Sequence, residues 1–156
     1  MAQAWKKGRG KMGPMMPLLG RWKAVAETQM GPVSCVRDYQ KFGDGYVRLE
    51  AEWNFKGKGA AAKTYREIAL FGPDNGPDGD GVLTFWSYTN DGKKSSGKLA
   101  EAPDIHPQAV CFEAQMDMGL ARQVFWPDDK AGMRWRVEAK TKKGWSNLAE
   151  HHYRPA

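Results

Sequence analysis

From Arg21 onward, apolar and polar residues alternate in short runs, with little of the three-to-four spacing that marks a helix. Side chains two apart share one face of a pleated strand, so such runs specify strands with one buried face. Arg21 to Thr28 sets Trp22, Ala24 and Ala26 on one side and Lys23, Val25 and Glu27 on the other. The same reading gives strands over Val33 to Phe42, Tyr46 to Phe55, Lys63 to Phe71, Val82 to Thr89 and Lys93 to Leu99. Four more follow, over Ala109 to Met116, Ala121 to Trp126, Met133 to Lys140 and Trp145 to Arg154.

Gly, Pro, Asp and Asn separate these runs. Gly43-Asp44-Gly45 supplies the positive-φ residues of a tight hairpin. Gly31-Pro32, Gly57-Lys58-Gly59, Asn90-Asp91-Gly92 and Thr141 to Gly144 are further turns, while Gly72 to Gly81 and Pro103 to Pro107 are longer loops. Connections this short make neighbouring strands antiparallel. The expected fold is all-β, a single antiparallel ten-stranded meander barrel, since closure removes free strand edges. A two-sheet sandwich is the alternative, because Gly72 to Gly81 and Glu101 to Gln108 are long enough to cross. Met12 to Leu19, limited by Pro14 and Pro17, predicts a short helical plug for one end.

Length and charge narrow the function classes. A chain of 156 residues fits one domain, read as a flexible basic tail over residues 1–13 and a barrel over 14–156. Of the net charge of +6, Lys6, Lys7, Arg9 and Lys11 carry +4, which leaves the body at about +2. No specific nucleic-acid partner is therefore expected. A mean hydropathy of -0.68, and no apolar run near the roughly 20 residues of a spanning helix, argue against a membrane role. Met15 to Leu19 is too short and proline-broken for a signal segment, so the expected localisation is cytoplasmic. Cys35 and Cys111 are then read as buried thiols.

Leu18-Leu19-Gly20-Arg21-Trp22, ahead of the first strand, resembles the G-x-W opening of calycins, the superfamily of lipocalins, fatty-acid-binding proteins and nitrobindin-like barrels. In that resemblance Gly20 turns the chain, Trp22 seals the closed end, and Arg154 packs across the indole. Arg66 to Gly72, Phe85 to Lys93 and Glu150 to Arg154 resemble, as a set, an uncharacterised bacterial calycin-like family. The resemblance implies a lipocalin-like barrel with a ligand inside.

Candidate chemistry is sparse. Arg37, Arg66, Arg122, Arg134 and Arg136 all lie within strands, and one inward guanidinium would grip an anionic head group through parallel hydrogen bonds. Arg66 shares a face with Ile68 and Leu70, and Arg122 with Val124 and Trp126, so these two are the predicted anchors. Trp53, Trp86 and Trp135 are predicted walls of an apolar pocket. His151 and His152 alternate, so one at most points inward; the nitrobindin resemblance implies that it could ligate haem, whereas a structural histidine would bond a neighbouring strand. The histidines and cysteines form no zinc pattern, and no structural metal is expected. No nucleophile elbow or phosphate loop is present, and no catalytic residue is assigned; Glu67 and Glu113 are the one candidate acid–base pair. The leading expectation is a carrier of a small apolar or amphipathic ligand, anionic if an arginine faces inward. A haem protein and a filled, non-catalytic interaction module forming a homodimer are the alternatives, and no other cofactor is expected.

Overall fold

The computed structural model describes residues 5–28, 31–56, 62–128 and 130–156. Ten strands run along the chain: β1 Gly20–Thr28, β2 Gly31–Phe42, β3 Tyr46–Lys56, β4 Ala62–Pro73, β5 Leu83–Thr89, β6 Lys94–Ala100, β7 Val110–Met116, β8 Gly119–Pro127, β9 Met133–Thr141 and β10 Gly144–Pro155. Each pairs antiparallel with its sequence neighbours, and β10 returns to β1, so the sheet is a closed meander barrel and not a sandwich. Most ends fall within two residues of the expected runs. Gly31-Pro32, read as a turn, instead begins β2. The Gly57-Lys58-Gly59 turn lies outside the described residues.

The ladders differ in length. Nine partner pairs join β1 to β2, from Gly20↔Tyr39 to Thr28↔Gly31, whereas two, Trp22↔Pro155 and Lys23↔Arg154, join β1 to β10.

One end of the barrel is plugged and apolar. A 3-10 helix at Gly13–Leu18 puts Met15 and Leu18 fully inside, where they join Tyr39, Val47, Phe71, Phe112, Phe125 and Met133 in one core. Gly20, at φ +119°, turns the chain out of this plug into β1, a conformation side chains other than glycine rarely adopt. Trp22 then lies against the plug, its indole N–H donating to the Leu18 carbonyl at 2.8 Å. Gly97 on β6 leaves space that Phe85 fills, since a Cβ there would lie 2.5 Å from the Phe85 ring.

The other end is lined by smaller and more polar groups. Register places Arg37, Ala51, Glu67 and Thr89 side by side across β2 to β5. Ala24, Ala26, Ala114, Ala121, Ala139 and Ala149 face the same space from β1 and from β7 to β10. Several of these inward residues, among them Ala26, Trp53, Tyr65, Glu67, Val137 and Ala149, are only half-buried, so solvent reaches the interior from this end.

Two elements pack outside the cylinder. The loop after β6 covers β7 and β8, enclosing Ala102, Cys111, Val124 and Trp126 in a second apolar cluster. The N-terminal segment crosses the plugged end: Trp5 packs on the main core, the Trp5 carbonyl accepts from Gln108 Nε2 at 3.2 Å, and Lys11 Nζ donates to the Gly81 carbonyl at 2.8 Å. Among the described residues, no helix is long and apolar enough to cross a membrane.

Candidate functional site

Alternation along β2 carries Val33, Cys35, Arg37 and Tyr39 to the inner face, and all four are buried. Arg37 is thereby a cation enclosed in the barrel, at 1% exposure. Its Nε donates to the Tyr39 hydroxyl at 2.9 Å. Four rings surround the guanidinium carbon, with centroids at 5.1 Å for Trp135, 5.6 Å for Tyr39, 5.7 Å for Phe125 and 6.0 Å for Tyr153. Such contacts offset part of the cost of desolvating the charge, about 2 kcal/mol for a favourable dry one. Burial works against that charge, and Tyr39, Tyr153 and Glu67 oppose the effect. Yet Nη1 is buried with no hydrogen-bond partner. Glu67 makes no ion pair with it among the described residues; its Oε2 instead accepts from Ser87 Oγ at 2.5 Å.

Trp53 is the diagonal inner-face neighbour of Arg37 across the β2–β3 ladder, since Arg37 stands opposite Ala51 and Trp53 opposite Cys35. Its ring stacks on Tyr65 at 5.1 Å and 12°, and tilts toward Trp135 at 6.5 Å. The indole N–H is also buried without a hydrogen bond of normal geometry. It comes close enough to the Tyr153 hydroxyl to oppose, weakly, the rise that burial imposes on that phenol. An unsatisfied buried donor costs about 1–3 kcal/mol. Two of them beside the same rings need an explanation.

The other inward polar groups are held neutral. Burial, helped by the Arg37 charge, lowers His151 to about 4, and the ring lies 4.9 Å from Trp135 with Nδ1 3.0 Å from the Tyr153 hydroxyl. Burial raises Tyr39 and Tyr153, and pushes the Cys35 thiol up to about 12. Near pH 7 these four groups therefore add no charge to that of Arg37.

Of the residues singled out from sequence, Trp53, Trp135 and His151 point inward; Arg66, Trp86, Arg122 and His152 do not. Arg66 is exposed, on the outer face it shares with Ile68, itself 51% exposed. Trp86 stands opposite Leu70 on that same outer face. Their apolar neighbours suggested an inner face, but this barrel carries apolar residues outside as well. Arg122 does share a buried face with Val124 and Trp126, yet it is the outer one, roofed by the loop after β6. There its Nη1 and Nη2 reach Asp104 at 3.2 and 2.7 Å, its Nε reaches Glu138 at 2.7 Å, and it lies 4.3 Å above Trp145. A groove of about 540 Å³ runs beside it, bordered by Trp126, Arg134 and Arg136 as well.

Arg154 does not cover Trp22. Pro155 is the residue opposite that indole, which leaves Arg154 on the outer face, 49% exposed and 2.7 Å from Asp128. His152 binds the same carboxylate. Glu67 and Glu113 lie on opposite sides of the wall, Glu113 facing Arg122 and Lys98 outside, so they are no acid–base pair. Cys35 and Cys111 are both free and buried, one inside the barrel and one under the outer loop.

Arg37 is the residue that sequence reasoning placed among the strand arginines without choosing it. The signal was available: it takes an apolar position in Val33-x-Cys35-x-Arg37-x-Tyr39. Among the described residues, no group of three or more His, Cys, Asp or Glu is placed to hold a metal ion. Neither a family model nor a curated protein matches the chain.

Proposed function

We propose that the barrel binds and carries a small amphipathic molecule in its unplugged half, with the anionic end at Arg37 and Trp53, Tyr65 and Trp135 as walls. The observation that carries this reading is the fully buried Arg37 guanidinium with Nη1 unpartnered. A buried charge is ordinarily paired and hydrogen-bonded, and an anionic ligand would complete this one. The closed ten-stranded meander and the G-x-W-like opening are compatible with a calycin-like barrel, whose members hold ligands in such a space. Native mass spectrometry of freshly isolated protein tests the reading: a retained small acid is expected, and it should be absent from Arg37→Met. A bare mass, together with no change in tryptophan fluorescence on titration with dodecanoate or 1-anilinonaphthalene-8-sulfonate, refutes it.

A haem protein is the second reading, favoured by one observation. His151 is an inward imidazole held neutral, and with Nδ1 at the Tyr153 hydroxyl its Nε2 would be the iron ligand. Haem would bring iron-centred redox or diatomic-gas chemistry; this chain would supply the axial nitrogen and the aromatic surroundings. Absence of a Soret band after addition of haemin removes it.

A further inference from the structure

We infer that the enclosed site selects a singly charged carboxylate, held jointly by Arg37 Nη1 and Trp53 Nε1, and discriminates against phosphate dianions and neutral alcohols of the same body. This rests on the proposed interior binding and specifies its ligand. Arg37 Nη1 and Trp53 Nε1 are the buried side-chain polar atoms that make no hydrogen bond of normal geometry among the described residues, the indole N–H having only a poorly aligned approach to the Tyr153 hydroxyl, and both are donors. They belong to diagonal inner-face neighbours, and both side chains border Trp135. Two donors without acceptors call for a group that only accepts. An alcohol brings a donor of its own and no charge, and leaves the guanidinium unneutralised.

Charge sets the upper limit. Among the described residues Arg37 is the enclosed cation of the barrel interior, and the Glu67 carboxylate is close enough to act on it electrostatically without touching it. The site therefore offers one positive charge in the presence of one negative charge. A carboxylate brings the local sum to −1; a phosphate dianion brings it to −2, in a space where like charges are poorly screened. Lys41 and Lys63 share the inner-face phase of β2 and β4, but they stand at strand ends and are exposed, so neither is enclosed beside Arg37 to balance the difference. The remaining inward groups, Tyr39, Tyr153 and His151, are neutral near pH 7 and add no charge of either sign. The aromatic walls favour a flat body, which guides the choice of probes.

Three probes of one shape separate the possibilities: 1-naphthoate, 1-naphthyl phosphate and 1-naphthalenemethanol, titrated at pH 8 into full-length protein by calorimetry. Naphthoate is expected to bind at least tenfold more tightly than either of the others. Trp53→Phe, which keeps a ring and removes the N–H, should weaken naphthoate at least fivefold and leave the alcohol within twofold. Phosphate or alcohol binding as tightly as naphthoate overturns the inference, as does an unchanged naphthoate affinity in a folded Trp53→Phe protein; should that variant not fold, the parent's ranking of the three probes decides. If none of the three binds the parent, the interior-binding reading itself fails, a result distinct from loss of selectivity.

Discussion

Arg154 is bound to Asp128, 2.7 Å away on the outer face, and this ion pair ties the end of β10 to the connection between β8 and β9. Asp128 is 5% exposed at its side chain, and its other oxygen accepts the backbone N–H of Lys130 and of Gly132, each at 2.8 Å. The site has no room for a larger loop residue, because a Cβ on Gly132 would overlap the Asp128 carboxylate. Asp128→Ala strands two amides and two side chains at once and should cost about 2–4 kcal/mol in urea denaturation. His152, Lys130, Gly132 and Arg154 lower the Asp128 pKa against the opposing effect of burial. Its contribution is therefore present above the carboxylate's unfolded value and lost as pH falls through the lower folded one.

Arg37→Met should separate stability from binding. Among the described residues Arg37 makes no ion pair that its removal would break, so replacing it by an unbranched apolar chain removes the desolvation cost of the charge and should be neutral or stabilising, by up to about 3 kcal/mol. Thermal denaturation should show an equal or raised midpoint, while calorimetry shows at least a tenfold loss of affinity for organic anions. A midpoint lowered by more than a few degrees would mean that Arg37 is required by the fold itself.

His151 predicts an acid sensitivity of defined sign. Its folded pKa of about 4 lies below the ordinary 6.5, so the unfolded chain takes up a proton that the folded one refuses. Stability is then fully present above pH 6.5 and falls between pH 6.5 and 4, by at most about 3 kcal/mol at 1.36 kcal/mol per pKa unit. Denaturation midpoints of His151→Gln and the parent should converge across this window; parallel curves would show that another group titrates there.

Trp22 tests the plugged end. The indole is 7% exposed and hydrogen-bonded to Leu18, so Trp22→Ala removes both a large apolar surface and a tether for the 3-10 helix. A loss of about 3–5 kcal/mol is expected, measured by urea unfolding with ligand absent.

The strands were legible because period-two alternation and glycine-rich turns are local signals, and β2 and β3 show both around Gly43-Asp44-Gly45. Facing was legible only in part. Parity correctly grouped Arg122 with Val124 and Trp126, but parity cannot say which of two buried faces is the interior. That depended on the loop after β6 folding back as a roof. Ile68 and Leu70 misled in the opposite way, since apolar residues on a largely uncovered outer face look the same in sequence as a core. Arg154 was misplaced by a single residue, because the short β1–β10 register sets Pro155 opposite Trp22. Arg37 was readable from β2 alone, as a charge at an apolar position of an otherwise regular strand.

The brevity of the β1–β10 ladder has a mechanical consequence. Its two partner pairs lie toward the plug, so from Ala24 to Thr28 the first strand is tied to β2 and not to β10. Toward the mouth, the cylinder is thus a collar with a slit rather than a rigid ring. An outward swing of β1 there breaks no β1–β10 rung, so this is the part of the wall that hydrogen bonds hold least.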